Sequence, residues 1–324
     1  MARYILKRLL LMIPILIGVA ILIFTLMYFV PGDPAEIVLG QSATEEQVIA
    51  MREQMGLNRP YLVRLGEFLL GLSHGDFGNS YIYGTSVGGE LLTRFPKTLA
   101  IAFFSILLSA IIGIPLGIRA ATHANSAEDR ISMFVSMIGV SMPNFWLALM
   151  LVLLFSLNLG WLPSSGDKGW NYYILPIVSN ALGGIAGIAR LTRSSMLEVI
   201  RADYVTTARA KGVSERNVIY QHALPNALIP IITICGGRFG GQLGGTMVIE
   251  TVFSIPGIGA YLINSINNRD YPAVQGSVIY IAFTFSVVML LVDLIYAYVD
   301  PRIKAQYEGQ RKRTKRVKEV SING

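Results

Sequence analysis

Five stretches of this chain stay apolar for about twenty residues or more, the length a helix needs to cross the hydrocarbon core of a bilayer. They are Leu9–Val30, Thr98–Ile118, Ile131–Leu157, Ala227–Val248 and Ser277–Val299. A helix satisfies its own backbone hydrogen bonds, so an all-α bundle is what such runs build in lipid. Composition agrees, with 53% hydrophobic and 15% charged residues, against roughly 25% charged in soluble domains. The first stretch follows Arg3, Lys7 and Arg8, the outline of a signal peptide. It is too long for an h-region, and Val30-Pro31-Gly32-Asp33-Pro34 lacks a small-x-small cleavage site, so it reads as a retained span.

A sixth candidate, Tyr173–Ala189, is shorter and is diluted by Asn180, Gly183, Gly184 and Gly187. Parity favours it, because without it the basic segment Arg190–Asn226 and the basic end of the chain would face opposite sides. Six spans with both termini inside leave only Arg52, Arg59, Arg64, Arg94, Lys97, Lys168 and Arg269 outside and Arg238 in a span. The rest of the 27 Lys and Arg residues then lie inside, and this bias predicts an N-in, C-in multi-pass topology. It also explains a pI near 9.5 without nucleic acid as a partner.

The predicted external segment, Pro31–Lys97, reads as ordered. Thr44-Glu45-Glu46-Gln47 fits a capping box at a helix start. Val48, Met51, Met55 and Leu57 then form an apolar stripe closed by Gly56, and Tyr61–Leu70 reads as a second helix. A packed external cap is the favoured expectation, and contact with a delivery partner is the alternative. The run Arg311-Lys312-Arg313-Thr314-Lys315-Arg316-Val317-Lys318 reads as a solvated cytoplasmic tail touching anionic lipid.

Catalytic chemistry is poorly supported. There is no Gly-Lys followed by Ser or Thr to cradle a phosphate, and no His-Glu-x-x-His to hold zinc. A Gly-x-Ser-x-Gly elbow for a nucleophile is missing too. His74, His123 and His222 fall on different loops. No catalytic residue, metal or cofactor is expected. Cys235 is the single cysteine, so no intrachain disulfide is possible.

The polar segment Arg190–Asn226 is the place where a protein without its own chemistry could be driven from outside. Ser194–Ala210 reads as helical, with Met196, Val199, Ile200 and Tyr204 at helical spacing. Gly212 is a natural stop after a C-cap. Ser214 is then placed to cap a second short helix, Glu215–Ala223, ending before Pro225. The expected shape is a cytoplasmic knob of two helices joined at a glycine.

Here Thr206-Thr207-Ala208-x3-Gly212-x9-His222-x2-Pro225 resembles the cytoplasmic loop of ABC importer permeases, Glu-Ala-Ala-x3-Gly-x9-Ile-x2-Pro. Ala208, Gly212 and Pro225 match; Thr206 and His222 depart. The departures resemble the dipeptide/oligopeptide branch, which carries Tyr-(Val/Ile)-x-Thr-Ala-(Arg/Lys)-Ala-Lys-Gly and His-Ala-Leu-x-Asn-Ala. Val30-Pro31-Gly32-Asp33-Pro34, Gly75-Asp76-Phe77-Gly78-Asn79-Ser80, the run Glu250–Gly259 and the run Val292–Arg302 fit the same branch. The resemblance covers almost the whole chain and favours the subunit type with a long first external loop.

It implies a type I importer permease fold and a driven mechanism. A second homologous permease would share the pathway, two ABC ATPase subunits would grip the knobs, and an extracytoplasmic binding protein would deliver a peptide. ATP hydrolysis would lie in the partners. The coupling residues implied are Asp203, Thr206, Thr207, Ala208, Gly212, Ser214, Glu215, His222 and Pro225, with Arg209 and Lys211 as solvated charges. The expected home is a bacterial or archaeal cytoplasmic membrane.

Arg238 lies mid-span in Gly236-Gly237-Arg238-Phe239-Gly240-Gly241, and an intramembrane charge faces a bundle interior or a water-filled cavity. Two readings stay open: a pathway residue meeting an anionic group such as a peptide carboxylate, or a structural pair with a carboxylate of this chain or its partner permease. Glycines from Gly236 to Gly245 recur on adjoining faces and favour close helix packing, with a smooth pathway wall as the alternative. Asp293 reads as a polar anchor near a span end, and Pro115 and Pro143 as kinks. The expected division is 1–97 for the first span and external loop, 98–300 for the permease domain and 301–324 for the tail. Importers of nickel or glutathione share these motifs. An ion-coupled transporter working alone would need intramembrane carboxylates and inverted repeats, and neither is evident.

Overall fold

The structure is a computed structural model that describes residues 2–40 and 42–299; the basic tail lies outside the described residues. Among the described residues every regular element is helical, apart from an isolated bridge between Asn79 and Ser86. The helices are α1 (Ala2–Phe29), α2 (Pro34–Leu39), α3 (Glu45–Gln54), α4 (Tyr61–Ser73), α5 (Val87–Thr122), α6 (Ala127–Ser141) and α7 (Asn144–Leu151). They continue with α8 (Asn171–Ile200), α9 (Asp203–Ala210), α10 (Glu215–Asn217), α11 (Leu224–Gly245), α12 (Met247–Val252), α13 (Ile258–Asn267) and α14 (Tyr271–Val299). Wide π-helical turns follow α7, at Val152–Asn158, and α10, at Val218–Ala223.

Among the described residues five helices are long and apolar enough to cross a membrane, six if α6 and the Asn144–Asn158 segment count as one broken span. One span expectation is borne out and one needs correcting. The weak candidate Tyr173–Ala189 lies inside the 30-residue helix α8, whose most apolar window is 61% buried. Its hydropathy is low as expected, and Gly184 and Gly187 are packing surfaces, for Ser109 and Arg238. The candidate Ile131–Leu157 is the interrupted one. The helix breaks at Met142–Pro143, where proline disfavours the helical region for Met142 and donates no hydrogen bond. Pro143 itself is extended at ψ 135° before α7. Pro115 causes no such break, and α5 runs unbroken past it.

The chain packs into two compact units, each discontinuous in sequence. The first comprises Met1–Leu108, Val140–Gly183 and Phe239–Val287. In it the capping box forms as expected: Gln47 N–H donates to Thr44 Oγ1 and Thr44 N–H to Gln47 Oε1. Val48, Met51, Met55 and Leu57 are half-buried beside an exposed face. Helix α4 seats against α1 through Phe24–Phe68 stacking at 5.4 Å and a 2.7 Å Thr25–Tyr61 hydroxyl contact. Asp33 caps α2 by accepting from Ala35 N–H, with Pro34 in the first turn, and Arg52 pairs with it at 2.6 Å. Those bonds give Asp33 and Pro34 of the Val30–Pro34 motif their roles.

The second unit comprises Ser109–Gly139, Gly184–Arg238 and Val288–Gly324. Its apolar core joins Ile118 and Ala121 of α5 to Met196, Val205, Ala208, Val218, Ala223 and Ala227. The helices α5 and α8 approach at Gly113 and Gly117. A Cβ at Gly113 would sit 2.9 Å from the Ile185 carbonyl, and one at Gly117 would strike the Ala189 carbonyl and Thr192. Small residues four apart let backbones meet this closely.

Candidate functional site

The 203–226 segment forms a folded elbow within the second unit. Helix α8 stops at Ile200, and the chain turns at Arg201 and Ala202 before α9 begins. The expected continuous helix Ser194–Ala210 is therefore broken, with Ala202 in the extended region. The break lets α9 fold back, so that Val205 and Ala208 lie in one core with Met196.

Helix α9 ends in a Schellman motif. Val213 N–H donates to the Ala208 carbonyl at 3.3 Å, and Gly212 N–H to Arg209 at 2.9 Å. Gly212 takes φ +79°, a left-handed conformation that costs other L-residues roughly 1–2 kcal/mol. Val213 packs onto the same core as Ala208, completing the apolar contact of that motif. Ala208 is 7% exposed and shapes the elbow from within, while Asp203, Thr206, Thr207 and Ala210 are exposed around it. Tyr204 and Tyr220 add 45% and 53% exposed aromatic surface.

The second arm departs from expectation in two ways. Ser214 precedes α10 but makes no side-chain cap bond. The helix also runs on past Pro225 instead of ending before it. Proline cannot donate to the carbonyl four residues back and its ring crowds that group. The backbone widens at Val218–Ala223, and Leu224 N–H reaches back five residues to the Ile219 carbonyl. His222 sits in this wide turn, its carbonyl accepting from Asn226 Nδ2 at 3.2 Å. The π turn carries the elbow directly into α11, and Glu215–Gly244 forms one 30-residue candidate span.

Arg209 is not a free surface charge. Its Nε and Nη2 donate to Glu215 at 3.0 and 2.8 Å, and Nη1 reaches the Ile200 carbonyl at 3.4 Å. It clasps α9 to α10 and caps the end of α8. Beneath the elbow, Arg193 makes a bidentate pair at 2.5 and 2.7 Å with Asp129, whose side chain is 3% exposed. Asp129 also accepts from Asn125 N–H at 2.9 Å, fixing the α5–α6 turn against α8.

Arg238 is half-buried on α11. Among the described residues no carboxylate of this chain lies within ion-pair distance of it. The glycines around it divide by face. Gly236 packs on Val292 and Gly244 on Ile281, while Gly237 and Gly241 face open space.

Two buried carboxylates in the first unit escaped the sequence reading. Glu250, 0% exposed, accepts from Thr98 Oγ1 (2.7 Å), Thr246 Oγ1 (2.9 Å) and Ala260 N–H (2.9 Å). Thr98 in turn accepts from Ile258 N–H at 2.9 Å, so the Glu250–Gly259 run folds around its own acid. Asp270 accepts from Ser80 Oγ (2.5 Å) and Tyr81 N–H (3.0 Å), tying the Gly75–Ser80 turn to the start of α14. A cleft of about 740 Å³ lies between these elements, lined in part by Arg59, Arg64, Phe68, Asp76, Tyr81 and Tyr271. The advance signal for Glu250 was its place at the head of a motif run with Pro256 and Gly257; Asp270 lay in no such run.

Broken and unbroken membrane-length helices joined to a folded polar elbow mark a polytopic membrane subunit. A family model described as "Binding-protein-dependent transport system inner membrane component" matches residues 113–305, and the N-terminal companion model matches residues 1–102. The chain belongs to this family. It is a permease subunit of an ABC importer, with ATP hydrolysis carried by separate ATPase subunits. Membership brings a second permease, ATPase subunits and a substrate-binding protein as partners, in the bacterial inner membrane.

Among its relatives is the dipeptide transport system permease protein DppB of Alkalihalophilus pseudofirmus. The two are 41% identical, covering 94% of this chain and all (100%) of the relative. The glutathione transport system permease protein GsiC of Escherichia coli (strain K12) is 40% identical, over 94% of this chain and 99% of that one. An inward-facing structure of the MetNI methionine ABC transporter covers 65% of this chain and 96% of its own, with a TM-score of 0.54 at 20% identity. That likeness shows the fold.

Proposed function

We propose that this permease imports di- and oligopeptides. A second permease shares the pathway, two ATPase subunits grip the 203–225 elbows, and an extracytoplasmic protein delivers the peptide. The observation that carries the coupling role is the rigid elbow itself. Ala208 and Gly212 fix its shape internally, which leaves Asp203, Tyr204, Thr206, Thr207 and Tyr220 as a free contact face. ATPase closure then moves α11 through the π turn at Val218–Ala223, where His222 and Pro225 set the geometry. Glu215 holds the arms together, and Ser214 starts the second arm.

This reading takes the N-in, C-in topology, with Arg238 facing the pathway. The open faces at Gly237 and Gly241 support a smooth wall near that residue, and a basic tail on anionic lipid fits the same topology. Peptide as cargo rests on the 41% identity to a dipeptide permease. Glutathione, itself a peptide with free carboxylates, is the second reading, favoured by the 40% identity to GsiC. Proteoliposomes holding the complete transporter decide between them. ATP-dependent uptake of labelled dialanine, with glutathione competing weakly, is the expected result. Glutathione uptake without dialanine uptake selects the second reading, and uptake of neither overturns the peptide assignment.

A further inference from the structure

The guanidinium of Arg238 rests on Gly187 of α8. A Cβ built at Gly187 would lie 2.9 Å from Arg238 Cζ and 3.6 Å from Nε, and would overlap Nη2. One face of α8 is thus bare where the arginine needs it, and any larger residue at 187 must displace the guanidinium. A second fact points to a ligand. Among the described residues this intramembrane cation has no carboxylate partner in the chain, and such charges are costly unless they meet water or an anion. A planar guanidinium placed over bare backbone can present its N–H fork to a carboxylate bidentately.

We propose that Gly187 is the positioning residue for Arg238, and that the pair forms an anion-selective station for a carboxylate-bearing permeant. This rests on the pathway reading of Arg238. Gly187 does not touch the permeant; it sets where the guanidinium lies. The selectivity lost on filling position 187 should therefore resemble that lost on removing the charge, although the charge remains.

Cys235, the single cysteine of the chain and partly exposed, lies on α11 three positions before Arg238, a spacing that puts both on one helix face. It reports the local field in the intact transporter. Labelling of this chain by the anionic 2-sulfonatoethyl and cationic 2-trimethylammonioethyl methanethiosulfonates is followed by mass spectrometry in proteoliposomes. The anionic reagent is expected to react faster. That preference falls about fivefold or more in Arg238→Gln, to a comparable degree in Gly187→Ala, and no further in the double variant.

A fall in Arg238→Gln with none in Gly187→Ala overturns the role of Gly187 and leaves the pathway reading standing. No fall in either, or a Cys235 inert to both reagents, overturns the pathway reading itself. Dissociation of the permease pair in Arg238→Gln with an unchanged preference does the same, and assigns Arg238 to the partner permease. If Gly187→Ala alone fails to assemble, recovery in Gly187→Ala/Arg238→Gln confirms the contact, and lack of recovery overturns it.

Discussion

The two units hold their most buried carboxylates in different ways, although exposed and half-exposed acids pair with Arg or Lys in both. In the first, Glu250 and Asp270 are buried among hydroxyls and backbone N–H groups. In the second, Asp129, Glu215 and Glu128 are each held by an arginine, Arg193, Arg209 and Arg119. A buried acid in a cage of neutral donors resists change, because losing it strands every donor that pointed at it. A clasp such as Arg209–Glu215, with side chains 36% and 58% exposed, is screened by solvent and is worth only about 0–1 kcal/mol. Removing a caged acid of the first unit is therefore expected to cost more than removing the exposed clasp of the second.

Substitutions that exchange these behaviours test the contrast. Glu250→Ala carries the largest expected effect. It leaves up to three donors unpaired at about 1–3 kcal/mol each, for a loss on the order of 4 kcal/mol. Thermal denaturation of the purified complex should fall steeply, and uptake should vanish with the fold. A complex of normal stability would break the claim that the first unit depends on its caged acids. Asp129→Ala comes next, at about 2–3 kcal/mol, below the 3–5 kcal/mol of a fully buried pair because Arg193 is 26% exposed. Its melting temperature should drop by less than that of Glu250→Ala, and the reverse order would overturn the comparison.

Gly212→Val forces a β-branched residue into φ +79°, at about 1–2 kcal/mol. The cost falls on the elbow, so uptake should drop several-fold while the melting temperature shifts little. Equal loss in both would make the elbow a stability element instead. Arg209→Ala is the mildest, at about 0.5 kcal/mol. ATPase subunits should still bind, with transport reduced about twofold or less, and complete loss would mean that Arg209 contacts the partner directly.

Much of this was legible in the sequence, for definite reasons. Apolar run length located the membrane helices, and side-chain capping chemistry located α3 through Thr44 and Gln47. Glycine's access to positive φ placed the corner at Gly212. What was not legible depends on structure beyond the local sequence. The glycines of α8 lowered its apparent hydropathy, yet Gly184 and Gly187 are where Ser109 and Arg238 pack. Pro143 and Pro225 look alike in sequence. One breaks its helix and the other widens it, a difference that neither local sequence announces. The cages of Glu250 and Asp270 join residues far apart in the chain, Thr98 with Glu250 and Ser80 with Asp270, so no local pattern announces them.

The central claim is that the elbow's exposed face is gripped by the ATPase. Thr207 is exposed on α9, its hydroxyl donating only to the Asp203 carbonyl at 2.8 Å. Site-directed cross-linking tests it directly, with Thr207→Cys in a Cys235→Ser background bearing a short photoactivatable thiol reagent. The account predicts an ATPase adduct whose yield changes between nucleotide-free and ATP-bound complex, and none from Leu62→Cys on α4. An adduct from Leu62→Cys but not from Thr207→Cys would contradict it.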